Sequence, residues 1–328
     1  MTLLSLRLRT YFVWLVVVAC PSQNMLRAQQ TPTFDIRDET EFRKCVDTDA
    51  KLEKIASDLG FTEGCQWLPR DGGHLVFSDV KNSRIYKWTK VSGLSIFREP
   101  SGHTNGNTLD NQGRLVSCEQ SGRRLVRLEQ DGTLSTLADK YEGHRFHSPN
   151  DVAVHPTDDS IWFSDPDYGM RMNPGPEPGK VKELDGNYLF RLDAKSGKLS
   201  IPWKDFDHPN GLCFSPDGKQ LYVNDSGSTA KNTRDFDVQP DGSITGGKII
   251  ATVKSGSPDG IRCDRDGRLW CTGDGGIKIM RPDGTLIGII LVPDAPTNCC
   301  FGGEDLQTLF ITARPSVFAI RVAVMGTR

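Results

Sequence analysis

The stretch HRFHSPNDVAVHPTDDSIWFSDPDYG, residues 144–169, contains the pattern that decides the fold. A Ser-Pro-Asn-Asp turn leads into the short apolar run VAV, and an Asp-rich polar break separates it from a second run, IWFS. Apolar runs this short, bounded by Pro, Asn and Asp, are typical of β-strands joined as a hairpin. The pattern therefore predicts a β-hairpin with Asn150 at the entrance of its first strand.

Five weaker copies of this unit occur along the chain, each with a polar residue at the position of Asn150 and a second apolar run ten to twelve residues later. The aligned positions lie 39 to 49 residues apart, except for 60 between Asn150 and Asn210. A four-stranded propeller blade takes about 40–50 residues. The repeat predicts an all-β fold, a six-bladed β-propeller with four-stranded antiparallel blades around a central channel. The aligned residues are Glu63, Asn105, Asn150, Asn210, Asp259 and Asn298.

The bulk properties fit one globular domain, which we place at residues 34–328. A net charge of -2 and a charged fraction of 25% give no basic excess for nucleic acid. Asp-Gly pairs recur along the chain and favour tight hairpin turns, among them those that begin at Asp71, Asp131, Asp217, Asp241, Asp266 and Asp283. The long third interval contains an insertion, residues 166–185, whose four prolines and three glycines argue against a strand or helix. We expect a lid or rim loop at the channel mouth; the alternative is a surface excursion.

The first 28 residues have the features of a signal peptide. Arg7 and Arg9 precede the apolar run YFVWLVVVA, which is too short for a membrane span. One interpretation places cleavage near Ala28; the other is a bacterial lipoprotein signal that ends before Cys20, which would become a lipid anchor. Both predict an exported protein, periplasmic or extracellular, and no protein partner is predicted. The eight cysteines after the leader form no CxxC pair, which argues against a zinc site.

The chemistry of the six aligned residues points to a metal. In a propeller the first strand of each blade lines the channel, so the six side chains converge, and they comprise two carboxylates and four amides. Buried carboxylates repel each other and lose solvation, which a hard cation relieves. Ca²⁺ is favoured because it accepts mixed carboxylate and amide oxygens, with Mg²⁺, Mn²⁺ or Zn²⁺ as alternatives. The other interpretation is a polar plug hydrogen-bonded through water.

Several ordered motifs resemble the gluconolactonase/regucalcin-like family: TEGCQW, NGNTLDNQGRLVSCEQSGRRLVRLEQDG, SPNDVAV with WFSDPDYG, HPNGLCFSPDGK and SPDGIRCDRDGRLW. The match runs from Leu52 to the C-terminus. The resemblance implies a calcium-dependent hydrolase that opens a sugar lactone. By position it makes Glu63, Asn210 and Asp259 metal ligands, and Asn150 a contact to metal or substrate. It also places Asp259 at the position of the family's catalytic Asp. Three roles stay open for it: base, nucleophile, or metal ligand only.

Around these residues we expect a substrate shell. Asn105, Asn150 and Asn298 belong to the aligned set, whereas His103, Glu119, His147 and Tyr168 lie near the same mouth. For Glu119 a purely structural role, bonding to neighbouring backbone amides, is an equal alternative. Two other functions remain open: a related calcium-dependent esterase or phosphotriesterase, and a non-catalytic carbohydrate-binding propeller.

Overall fold

The computed structural model describes residues 34–171 and 181–327, and it is a six-bladed β-propeller with four-stranded antiparallel blades, as predicted. The described chain begins with strand β1 (Phe34–Ile36), helix α1 (Glu39–Cys45) and strand β2 (Glu53–Ala56). Blade one contains β3 (Thr62–Leu68), β4 (His74–Asp79), β5 (Arg84–Thr89) and β6 (Gly93–Arg98); blade two contains β7 (Thr104–Leu109), β8 (Leu115–Glu119), β9 (Arg124–Leu128) and β10 (Leu134–Ala138).

The remaining blades follow in chain order after a short hairpin, β11 (Lys140–Tyr141) and β12 (His144–Arg145). Blade three contains β13 (Val152–Val154), β14 (Ile161–Asp165), β15 (Tyr188–Leu192) and β16 (Leu199–Trp203), with helix α2 (Tyr168–Arg171) after β14; blade four contains β17 (Pro209–Phe214), β18 (Gln220–Ser226), β19 (Lys231–Val238) and β20 (Ile244–Thr252); blade five contains β21 (Ile261–Cys263), β22 (Leu269–Gly273), β23 (Gly276–Met280) and β24 (Leu286–Leu291); blade six contains β25 (Ala295–Gly302), β26 (Thr308–Arg314) and β27 (Ser316–Arg321).

Turn chemistry explains why these strands fold back on each other. Each of the six Asp-Gly pairs named above lies between consecutive strands of one blade, and their glycines have φ between 73° and 87°. This left-handed conformation is open to glycine at little cost. In one such turn, Oδ1 of Asp217 accepts a hydrogen bond from the backbone N–H of Lys219 at 3.1 Å. These six Asp-Gly pairs thus form hairpin turns, as the sequence predicted.

The N-terminal segment closes the circle of six blades. Strand β2 pairs antiparallel with β27, with Glu53 opposite Ala319, and so forms the outer strand of blade six. The two ends of the chain share one sheet, which removes an exposed strand edge. Strand β1 adds a fifth strand to blade five beside β24, with Phe34 opposite Ile290, a pairing that the sequence did not predict.

Apolar side chains fill the spaces between blades. Between blades five and six, the rings of Trp270 and Phe301 meet edge to face at 5.3 Å, and Phe42 of helix α1 packs into the same cluster. All eight cysteines of the described chain are buried free thiols, as small apolar residues within blades would be. The blades are thus held by packing, and polar groups concentrate along the channel.

The insertion differs from expectation at its start. Helix α2 occupies residues 168–171, so the prediction that no helix forms in 166–185 is wrong there. The reason is local: between Pro166 and Pro174 no proline interrupts the backbone hydrogen bonds. Residues 172–180, the leader 1–28 and Cys20 lie outside the described residues. Within the described chain, no helix is long and apolar enough to cross a membrane.

Candidate functional site

The six aligned residues stand at one end of the channel, which we call the mouth; together they are named the oxygen ring. Four of them lie within the first strands of their blades, and the other two come just before theirs. Asp259 is partly buried, whereas the other five side chains are at most 5% exposed. The members are Glu63 in β3, Asn105 in β7, Asn150 before β13, Asn210 in β17, Asp259 before β21 and Asn298 in β25.

Glycine follows four of the six ring positions and allows neighbouring blades to approach closely. A Cβ atom on Gly64 would lie 2.0 Å from the carbonyl oxygen of Asn105, and one on Gly211 would lie 2.1 Å from that of Asp259. No side chain fits at such distances, so backbone meets backbone there. The N–H of Gly211 donates to the Asp259 carbonyl at 3.1 Å. These contacts bring ring residues of adjacent blades together.

Asn298 links the last blade to the first. Its Nδ2 donates to Oε2 of Glu63 at 3.4 Å and to Oδ2 of Asp151 at 3.2 Å. Its Oδ1 accepts from the backbone N–H of Cys299 at 2.9 Å, which fixes the orientation of the amide. The donor side of this amide therefore faces two carboxylates.

The surroundings of the carboxylates at the mouth disfavour their ionised forms. Burial, followed by the charges of Asp259 and Asp151, raises the pKa of Glu63 well above its usual range. Burial also raises the pKa of Asp259 to about 7; Asp151 adds to this shift, whereas Arg314 and a hydrogen bond from Asn210 oppose it. Like charges that share a buried site raise pKa values in this way. The carboxylates at this point thus carry more negative charge than the arginines of the chain balance.

Asp151 is the residue that the sequence reasoning missed. Its carboxylate is buried, with 1% exposed, and it faces the ring next to Asn150. The signal was present in the alignment, because blade three has Asp151 at the position that glycine occupies in four other blades. A charged residue in place of a spacing glycine is a departure that the local backbone does not require.

The ring fits a cation that takes oxygen ligands. The buried Oδ1 of Asn105 has no hydrogen-bond partner in the described chain, an unusual state for a buried acceptor. Within residues 34–171 and 181–327, no three His, Cys, Asp or Glu side chains form a metal-binding group by themselves. A metal here would therefore need amide oxygens beside the carboxylates, a mixed donor set that Ca²⁺ accepts.

The rim residues differ in what they contact. Tyr168 donates from its hydroxyl to the carbonyl of Ser226 at 3.2 Å and stacks on His208 at 5.1 Å. Burial and the charge of Asp259 raise its pKa, which places it electrostatically close to the ring. His103 lies between blades one and two, where its Nδ1 pairs with the hydroxyl of Ser121. The charge of Asp259 thus reaches the Tyr168 hydroxyl.

Two residues predicted to contact substrate instead contact other residues of the propeller. Glu119 pairs with Arg98 at 3.1 Å and Arg124 at 2.6 Å, which favours the structural interpretation of this residue. His147 is 1% exposed, and its ring nitrogens lie 3.3 Å from Oδ1 of Asn187 and 3.2 Å from the carbonyl of Leu184. Burial lowers the pKa of His147. These contacts tie the end of the insertion to blade three.

A separate cavity of about 610 Å³ occupies the other half of the channel. Its walls combine apolar residues such as Leu109, Val152 and Leu212 with polar ones, and Arg262 stands among them. None of the six ring residues lines it. The oxygen ring and this cavity therefore occupy separate parts of the channel.

The fold and the site together define a class of protein: a β-propeller that carries carboxylates and amides at one mouth of its channel. Residues 61–314 match the family described as the SMP-30/Gluconolactonase/LRE-like region. The chain belongs to this family, which confirms the resemblance seen in its motifs.

Individual relatives agree over most of the chain. Gluconolactonase from Zymomonas mobilis is 32% identical over 305 residues, covering 86% of this chain and 84% of the relative. Regucalcin from Xenopus laevis is 34% identical over 277 residues, covering 80% and 86%. The structure of a gluconolactonase from Xanthomonas campestris aligns with a TM-score of 0.82 at 32% identity, covering 90% of this chain and 96% of that one.

Proposed function

We propose that this chain is a lactonase that requires a divalent cation, Ca²⁺ in the first place, to open a sugar lactone of the gluconolactone type. Relatives named gluconolactonase and lactonohydrolase support lactone hydrolysis. The observation that carries the proposal is the raised pKa of Glu63, which burial and then the charge of Asp259 from blade five cause. A buried carboxylate whose pKa a second carboxylate raises belongs to a site prepared for positive charge.

The residues that would hold the cation are Glu63, Asn210 and Asp259, with Asn150 beside them. Asn210 acts on the Asp259 side chain and favours its charged form, so the two face the same point. The ring lacks the His and Cys ligands that Zn²⁺ favours, and its amide oxygens suit Ca²⁺ better than Mg²⁺. When bound, the cation would polarise the lactone carbonyl and stabilise the negative charge that develops on its oxygen.

Lactone opening requires water to add to the carbonyl carbon and the ring C–O bond to break, which yields a carboxylate and a hydroxyl. Asp259 is suited to take the proton from water and to return it to the departing ring oxygen. Its side chain is oriented by Asn210 and keeps part of its surface accessible. Asn105 offers an acceptor to a sugar hydroxyl through its unpartnered Oδ1. Tyr168 forms one wall beside Asp259.

The decisive experiment measures hydrolysis of glucono-1,5-lactone by the purified chain after chelation, and again after CaCl₂ is restored. We expect activity to disappear with the cation and to return with it, and Asp259→Asn to remain inactive. Asp217→Asn, in an exposed hairpin turn, is the matched control. Full activity in chelator would contradict the proposal. Faster turnover of an aryl ester or a phosphotriester than of the lactone would instead favour the related esterase function.

We also propose that the chain is exported, because residues 1–28 combine basic and apolar features of a leader. Mass spectrometry of the mature protein distinguishes cleavage near Ala28 from a lipid-modified Cys20. An intact N-terminus in the cytoplasm would contradict export.

A further inference from the structure

Arg262 lies between the oxygen ring and the separate cavity of the channel, which it lines. It belongs to β21, three residues after Asp259, and its side chain is 14% exposed. Its Nη1 donates to the carbonyl of Ile261 at 2.8 Å and lies 3.7 Å from Oδ2 of Asp151, whose side chain is 1% exposed. The two residues form an ion pair between blades five and three, largely removed from water.

This ion pair continues into the ring. The same Oδ2 of Asp151 accepts from Nδ2 of Asn298 at 3.2 Å, and that nitrogen lies 3.4 Å from Oε2 of Glu63. A connected path of polar contacts therefore runs from the guanidinium to a carboxylate of the candidate metal site. A change in the charge or position of Arg262 acts on the ring through Asp151.

Charge balance indicates what the pair does. Three carboxylates meet at the mouth: the charges of Asp259 and Asp151 act on Glu63, and the charge of Asp151 acts on Asp259. An arginine stays protonated at every physiological pH, so Arg262 supplies one permanent positive charge. Arg314 also lowers the pKa of Asp259, but its side chain is exposed, so solvent weakens its effect and it is not a buried counter-ion of the ring. With Asp151 balanced by Arg262, two negative charges remain, which equals the charge of one divalent cation.

We propose that Arg262 is a positioning residue that serves as the fixed counter-ion of Asp151. It keeps that carboxylate paired within the protein and leaves Glu63 and Asp259 as the carboxylates that a divalent cation neutralises. The inference rests on the proposed metal site. A buried carboxylate that loses its partner is strongly unfavourable, whereas removal of both partners is tolerated far better. The roles of charge and of packing can therefore be separated by mutation.

The test is a double-mutant cycle with Arg262→Met, Asp151→Asn and the double variant, each followed by thermal unfolding in chelator and in excess CaCl₂. In chelator, Arg262→Met should unfold at a lower temperature than both the wild type and the double variant. CaCl₂ should raise its Tm more than that of the wild type, because the cation replaces the missing positive charge. By calorimetry its affinity for calcium should be roughly five- to tenfold higher than that of the double variant.

Arg262→Lys keeps the charge and should retain the calcium response of the wild type. Arg265→Met, an exposed arginine three residues further along, should change nothing. If Arg262→Met does not fold in chelator, the double variant decides: a folded double variant supports the counter-ion role, and an unfolded one overturns it in favour of packing. Equal calcium responses of the single and double variants would also overturn it. A wild type without any calcium response would refute the metal site instead, and the cycle in chelator would still report the ion pair.

Discussion

The amide nitrogen of Asn298 donates to Oε2 of Glu63 across the junction where the last blade meets the first, at 3.4 Å. The residues are far apart in sequence, and closure of the ring by strand β2 brings their blades together. The contact makes the charge distribution at the mouth dependent on closure of the whole propeller.

Replacement of this amide by a carboxylate tests that dependence. Asn298→Asp would turn an acceptor towards Glu63 and Asp151, where a donor now lies, and add a further negative charge. We expect the free energy of unfolding in chelator to fall by about 3 kcal/mol. Denaturant titration in chelator and in CaCl₂ measures this free energy of unfolding, and the cation should restore part of the loss.

The matched control for this change is Gln112→Glu, which converts an amide to an acid at an exposed turn. It should alter the free energy of unfolding by less than about 0.5 kcal/mol. Equal losses from both substitutions would show that the Asn298 amide has no special place beside the carboxylates.

The raised pKa values predict competition between protons and calcium. In the metal-free protein the pKa of Asp259 is about 7 and that of Glu63 lies well above its usual range, so protons occupy these oxygens near neutral pH. Calcium affinity should fall as the pH is lowered through 7, and binding should release protons. Calorimetry in buffers of different ionisation enthalpy measures both effects. An affinity independent of pH between 6 and 8 would rule out these carboxylates as ligands.

The stability of the metal-free protein should fall with rising pH, as the raised pKa of Asp259 requires. The pKa of Asp259 is higher in the folded chain than its ordinary value, so its contribution to stability is complete at low pH and is lost as the pH rises through about 7. In chelator, Asp259→Asn should therefore equal the wild type near pH 4 and exceed it in Tm above pH 7. A variant less stable than the wild type at pH 8 would contradict this assignment.

Arg314 provides a way to shift this titration from outside the ring. Its exposed guanidinium stacks over Phe61 at 4.7 Å and opposes the rise in the pKa of Asp259. Arg314→Gln should raise that pKa further and move the acid limb of the pH profile of kcat/KM to higher pH. Lys90→Gln, in the exposed turn between β5 and β6, should leave the profile unchanged. A profile unmoved by Arg314→Gln would remove Asp259 as the group behind the acid limb.

The repeat made the architecture predictable because blade length and hairpin chemistry are local properties. Asp217-Gly218 specifies a turn wherever its strands end up, and the same holds for the other five pairs. The position of Asn150 was predictable because equivalent residues recur at intervals of 39 to 60 residues. The fifth strand that β1 adds to blade five was not predictable, because a three-residue segment has no periodic signal of its own.

Within the site, residue type was predictable and pairing was not. Alignment placed Glu119 at the mouth, but its neutralisation by Arg98 and Arg124 depends on side-chain directions in two further elements. His147 likewise meets Leu184 only because the insertion returns over it. Asp151 was visible in the sequence, but its role depends on Arg262, a residue 111 positions later that only the closed ring brings near.

The glycine that follows Asn210 offers the cleanest test of how the ring is spaced. A Cβ atom on Gly211 would lie 2.1 Å from the carbonyl oxygen of Asp259, so Gly211→Ala must push blade five away from blade four. We expect a loss of about 3 kcal/mol in the free energy of unfolding, at the upper end of overpacking costs, because backbone cannot yield as a side chain can. Calcium affinity should fall as well, since Asn210 and Asp259 would separate.

Gly113→Ala is the control, because a Cβ atom there would enter open space although φ is 76°. It should cost about 1 kcal/mol for the left-handed backbone and leave calcium affinity unchanged. Thermal unfolding and calorimetry on the same preparations separate the two effects. If Gly211→Ala lost no more than Gly113→Ala and bound calcium normally, close backbone approach would not be what sets the geometry of the oxygen ring.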